Sequence, residues 1–201
     1  MAIKLTNIPE ILIYPKVKAE LDYIIEKAYP CEVGGIGKVK VEDRKIIIEK
    51  VVIIKQNVSV SHVSFSSADL ARFVDELLKK GEDPSSYRCW WHSHPWGANL
   101  RNWGDLKEEY SEIDVQAIEL WGKQCDFVVS LLGNGRGDYN VRLDIFRPIR
   151  LTISGLSLKI APPPLSEEEK ERIEKEIKKK VKSRGWSRGY VTTWDSWGWR
   201  K

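Results

Sequence analysis

Trp90-Trp91-His92-Ser93-His94-Pro95 closes a stretch that begins at Tyr87-Arg88-Cys89 and follows the turn-forming Gly81-Glu82-Asp83-Pro84-Ser85-Ser86. The aromatic-rich residues read as a β-strand entered from a turn and left through a loop. Alternate strand side chains share a face, so His92 and His94 project together while Ser93 faces away. The chain holds only three histidines, and two of them fall here. Further on, Ser111-Glu112-Ile113-Asp114 brings a carboxylate. Two imidazoles and one carboxylate make a three-ligand zinc set that leaves the fourth position for water, whereas a closed structural site more often uses four protein ligands with cysteines prominent. The pattern points to an open, catalytic centre mounted where a strand enters a loop.

Outward from that strand, Ile11–Tyr14 reads as a short strand and Lys16–Ala28 as a helix. Residues 36–42 and 45–55 read as paired strands, the second carrying the β-branched run Ile46 to Ile54. Ser67–Lys80 places Leu70, Phe73, Val74 and Leu77 at helical spacing. Strands follow at 87–92, 127–132 and 139–146, the last two joined by the glycine-rich turn Gly133–Gly137. Between them Ile113, Ala117, Ile118, Leu120 and Trp121 outline a helix face ended by Gly122. Strands and helices mixed with hairpins predict an α/β sandwich whose sheet is mixed and mainly antiparallel. His62, in a serine-rich stretch, reads as polar surface.

Glu32 in Glu32-Val33-Gly34-Gly35, the pair His92-Ser93-His94-Pro95, and Ser111 with Asp114 together resemble the JAMM (MPN+) zinc metalloprotease family, in its prokaryotic or archaeal type. The resemblance covers roughly residues 8 to 153 and lies in the ordered set rather than in any one piece. It implies the JAB/MPN-like sandwich, flanked by helices, and removal of ubiquitin or ubiquitin-like proteins from their conjugates. By that resemblance His92, His94 and Asp114 hold Zn2+, Glu32 is the general base, and Ser111 helps stabilise the oxyanion. One spacing departs from the pattern. The position where the family usually has its serine is Asn102, opening Asn102-Trp103-Gly104-Asp105. Two registers therefore compete, Asp105 with asparagine replacing serine, or Asp114 with an enlarged loop. Asp114 is preferred because one helix and then one strand follow it. Ser111 is also a good helix N-cap, a role compatible with the other.

Taken alone, Glu32 is an ordinary loop carboxylate; it becomes a candidate base because a zinc set elsewhere needs a proton acceptor beside its water. Cys31, Cys89 and Cys125 show no paired spacing; Cys31, beside Glu32, reads as a partly buried thiol in preference to a nucleophile. With no continuous apolar stretch at the N-terminus and no run of ~18 apolar residues, the chain reads as a cytoplasmic protein without a membrane span.

Ala161-Pro162-Pro163-Pro164 divides the chain into residues 1–160, the metalloprotease-like domain, and residues 161–201, a basic helix and a tryptophan-rich tail. Ser166-Glu167-Glu168-Glu169 reads as a capping box opening a helix to Lys182, with a narrow stripe of Ile173, Ile177 and Val181. Residues 161–201 carry 11 Lys and Arg against 7 Asp and Glu, so the whole net charge of +4 resides there. Four of the nine tryptophans lie beyond Arg184. Basic charge among aromatics is a pattern for single-stranded nucleic acid; the plainer reading docks the tail on its own domain or on a second copy of the chain. Trp96, Trp103 and Tyr110 between the two halves of the set suggest a cover over the cleft or a packed surface loop. Three function classes follow: a zinc isopeptidase acting on ubiquitin-like conjugates, a zinc hydrolase acting on small peptide adducts, and a non-catalytic MPN-like interaction scaffold.

Overall fold

The computed structural model describes residues 8–94, 110–158 and 165–183. Strand β1 (Glu10–Ile13) leads directly into helix α1 (Pro15–Ala28). Pro15 starts that helix because its fixed φ suits the first turn, where the missing N–H has no intrahelical role. Strands β2 (Gly34–Glu42) and β3 (Lys45–Ile53) form an antiparallel hairpin. A second hairpin, β4 (Gln56–Ser59) and β5 (His62–Ser64), precedes α2 (Ser67–Lys79). Ser66 caps α2 by accepting from the Asp69 amide. A short 3-10 turn at Pro84–Ser86 delivers the chain to β6 (Cys89–Ser93). Helix α3 (Glu112–Gly122) is followed by β7 (Phe127–Gly133), β8 (Tyr139–Ile145), β9 (Leu151–Leu156), α4 (Glu167–Lys180) and β10 (Val181–Ser183).

Seven strands make one sheet in the order β1-β3-β2-β6-β7-β8-β9. The β1–β3 and β6–β7 pairs are parallel and the other neighbours antiparallel, so the sheet is mixed as expected. Strand alternation sorts its side chains into two cores. Cys89, Trp91, Val129 and Leu131 face α1 and α4, whereas Trp90 and Val128 face α2 and α3. Helices thus cover both faces of a mainly sheet core.

Several boundaries differ from the expectations. The hairpin β4–β5, strand β9 and strand β10 were not anticipated. Helix α4 stops at Lys180 instead of Lys182, because Val181–Ser183 pairs in parallel with Gln56–Val58. On α3, Ile118 is buried and Ala117 and Trp121 pack against the core, but Ile113 and Leu120 are 61% and 62% exposed. A helix this short turns only one narrow side to the sheet, so these two of the five apolar positions face outward.

The capping box at Ser166 and Glu169 forms as anticipated. Ile173, 1% exposed, joins the same core as α1, and Ile177 and Val181 pack against it. The Tyr23 hydroxyl donates to Glu174 at 2.8 Å and Arg172 donates to Glu20 at 2.6 Å, pinning α4 along α1. Residues 161–164 and the tryptophan-rich tail from Arg184 lie outside the described residues, as do Asp105, Trp96 and Trp103. No helix among the described residues is long and apolar enough to cross a membrane.

Candidate metal centre

His92 occupies the penultimate position of β6, paired with Gly34 of β2 on one side and Leu132 of β7 on the other. Its parity matches Trp90, so its ring points to the α3 side of the sheet, and it is 1% exposed. Ser93 turns to the opposite face. There its Oγ accepts from the Val33 amide at 3.0 Å, while its own amide donates to the Val33 carbonyl at 2.9 Å. These bonds fix the end of β6 against the segment that carries Glu32. His94, just past the strand, donates its amide to the Gly133 carbonyl at 3.0 Å, which continues the sheet for one residue and returns its ring to the His92 side.

The third group arrives from α3. Ser111 is the N-cap, its Oγ accepting from the Asp114 amide at 3.2 Å, and the Asp114 carboxylate reaches back to the Ser111 amide at 2.8 Å. This capping box sets the position of Asp114 at the third residue of the helix. Asp114 Oδ1 lies 3.2 Å from His92 Nε2, and Oδ2 lies 3.7 Å from His94 Nε2. The two Nε2 atoms are 3.2 Å apart. Ligands held about 2.0–2.1 Å from a tetrahedral ion sit about 3.3–3.4 Å from one another, so the three donor atoms have the separations such an ion requires. His92, His94 and Asp114 are a group that could hold a metal ion.

Electrostatics favour the anionic carboxylate. Burial by itself would raise the Asp114 carboxyl, but the hydrogen bond and charge of His92, together with Ser111, outweigh it and hold the group well below the usual carboxylate range. Glu32 Oε1 lies 3.9 Å from His94 Nε2. Its amide donates to the Ser59 carbonyl at 2.8 Å, which ties this segment to the end of β4. Glu32 is buried. All five residues singled out in the sequence therefore meet in one place. The Ser111 hydroxyl is committed here, donating to Asp114 Oδ2 at 2.7 Å. Asp105 cannot be compared with Asp114, because it lies outside the described residues.

Two further residues build the surroundings, the first of which the sequence reading passed over. Gln56 is buried; its Oε1 accepts from the Gly34 amide at 3.0 Å and its Nε2 donates to the Gly34 and Ile54 carbonyls, each at 2.8 Å. It ties β4 to the strand beside His92. In the polar run Lys55-Gln56-Asn57 nothing marks it as buried. Tyr110, read only as part of a loop, stands with its ring centroid 6.0 Å from that of His92. Burial, its first cause, pushes the Tyr110 phenol well above its ordinary range, so the hydroxyl remains a donor.

Gly34 and Gly35 owe their identity to close approach. A Cβ on Gly34 would lie 3.2 Å from the His92 Cβ, and one on Gly35 would lie 2.1 Å from the Val52 carbonyl oxygen and 2.5 Å from the Trp91 indole. Cys89 and Cys125 are buried free thiols whose pKa burial raises, and Cys31 is part-buried. His62 is exposed on β5, as its sequence context suggested. No protein-family model matches the chain, and no curated protein sequence matches it.

Proposed function

We propose that this protein is a zinc-dependent isopeptidase or peptidase of the JAMM type that cleaves conjugates of a ubiquitin-like protein by activating water. One observation carries the reading: an aspartate at the start of α3 meets two histidines at the end of β6, with a buried glutamate 3.9 Å from the second histidine. The mixed sheet with helices on both faces supports the reading. No fourth His, Cys, Asp or Glu joins the metal-ligand group among the described residues, which favours an open position over a closed structural site.

His92, His94 and Asp114 would hold a zinc ion, which when bound would supply acidification of water and Lewis-acid polarisation of a carbonyl. Glu32 accepts the proton of the attacking water on its carboxylate and returns it to the leaving amine nitrogen. Ser111 and its capping box hold Asp114 in the orientation that keeps both oxygens toward the imidazoles. A shift of the Ser111 hydroxyl from Asp114 to the developing oxyanion is the additional role that the resemblance assigns to it. No acyl-enzyme is needed, which leaves the buried cysteines structural.

The test is metal content followed by hydrolysis. One zinc per chain, and cleavage of an isopeptide-linked ubiquitin-like conjugate that stops with Glu32→Gln, is the expected result. Zinc uptake with hydrolysis of small peptide adducts alone would move the substrate class. Failure to take up zinc would leave a non-catalytic scaffold.

A further inference from the structure

The ligand-bearing first turn of α3 is held to the sheet from the residue just before its cap. Tyr110 Oη donates to the Asn140 carbonyl of β8 at 3.0 Å. Leu132 pairs with His92 on one side and Asn140 on the other, so Tyr110 reaches across β7 from the β6 histidine to β8. Its ring lies tilted at 57° to the His92 imidazole, 6.0 Å away. On the β8 side the Arg142 guanidinium is 5.6 Å from the ring centroid, a distance at which cation and π-face attract.

Arg142 is itself fixed. Its Nε and Nη2 donate to the two oxygens of Asp144 at 2.7 and 2.8 Å, and the Thr152 hydroxyl of β9 donates to Asp144 at 2.7 Å. Asp144 is buried. A planar, two-point ion pair of this kind has little freedom to shift, so the Tyr110 ring stands between a rigid cation and His92. The other end of α3 is anchored separately. Trp121 Nε1 donates to the Tyr87 carbonyl at 3.0 Å, and the Phe146 ring fills the space over Gly122.

Resting on the metal reading above, we propose that Tyr110 is a positioning residue for the metal centre, indexing the Ser111–Asp114 turn against His92 through its hydroxyl bond to β8 and its place between Arg142 and the imidazole. Groups that orient metal ligands without touching the ion change affinity by about 10–100-fold when removed. A loss of that size is expected for Tyr110, because the two imidazoles remain while the carboxylate loses its set position.

The experiment titrates the purified full chain with Co2+ and Zn2+, reading the cobalt visible absorption and, in parallel, the thermal midpoint of the metal-free protein. Tyr110→Leu should weaken Co2+ binding about 10–100-fold and alter the cobalt spectrum. Tyr110→Phe keeps the ring between Arg142 and His92 but loses the hydroxyl bond to β8, and should recover only part of the affinity. Phe146→Leu, at the far end of α3, should lower the thermal midpoint while leaving affinity and spectrum at wild-type values. If Tyr110→Leu fails to fold, Tyr110→Met, which fills the same space without a ring, takes its place. Wild-type affinity in the Leu or Met variant, or a loss matched by Phe146→Leu, overturns the assignment. A wild-type chain that binds neither ion overturns the metal reading and the assignment with it.

Discussion

The Asp114 carboxylate sits 3.2 Å from the Nε2 of His92, although the two residues lie far apart in sequence. The contact joins the first turn of a helix to the last turnward residues of a strand buried on both faces. Its consequence is that Asp114 can be replaced without touching the strand end that carries the two histidines.

Asp114→Ala should abolish tight zinc binding, with a loss larger than the roughly 10–100-fold expected of an outer-shell change. Asp105→Ala should leave affinity unchanged. Calorimetric zinc titration of both variants checks this, and the reverse pattern would transfer the ligand role to Asp105.

Glu32→Gln keeps the size of the side chain and removes its basicity. Zinc content should stay at the wild-type level while turnover of a ubiquitin-like conjugate falls about 100–10,000-fold, the usual contribution of a positioned general base. Turnover near the wild-type rate would take Glu32 out of the mechanism.

Ser111→Ala removes both the N-cap and the hydroxyl that donates to Asp114. The cap should cost about 0.5–2 kcal/mol of stability, and zinc affinity should fall about 10-fold or more as the carboxylate loses its orientation. Urea unfolding and zinc titration on one preparation separate the two effects. Unchanged stability would show that the cap is not formed in solution.

Gly35→Ala should be among the most damaging small substitutions in the chain. Its Cβ would meet the Val52 carbonyl at 2.1 Å and the buried Trp91 ring at 2.5 Å, and neither can retreat cheaply. Overpacking of this kind costs about 1–3 kcal/mol or more. A thermal midpoint equal to that of the parent would refute the close packing of β2 on Trp91.

The Lys16 ammonium, then the Ser166 amide, hold the Glu169 carboxyl down at about 2 against its ordinary 4.5. A depressed folded-state value contributes stability above the unfolded value and loses it as pH falls through the folded one. The advantage of the wild-type chain over Glu169→Gln should therefore be present above pH about 4.5 and vanish between about 4.5 and about 2. Denaturant midpoints of both proteins across that range test it; a difference independent of pH would show that the charge of Glu169 does not matter.

Much of the architecture was legible in local pattern. The apolar spacing of α2, the β-branched run of β3 and the glycine turn before β8 each announce their element, because backbone periodicity is a local property. Ser166 and Glu169 gave the start of α4 for the same reason. The hairpin β4–β5 escaped because Gln56-Asn57-Val58-Ser59 and His62-Val63-Ser64 are short and polar, and their pairing is decided by Glu32, Gly34 and β10, which are remote in sequence. Strand β9 carried a usable signal in Leu151-Thr152-Ile153-Ser154, an alternation that predicts a half-buried edge.

By itself the sequence determined which side chains within one element share a face: His92 with Trp90, Ser93 away from both, and Asp114 three residues after its own cap. Only the tertiary structure decided that Asp114 and Glu32 both approach the imidazoles, that Gln56 is buried beside Gly34, and that Tyr110 stands between His92 and Arg142. The physical reason is that local geometry repeats every few residues, whereas the separation of two elements is set by the sum of many weak packing contacts across the sheet, none of them encoded in the spacing of the residues that finally meet.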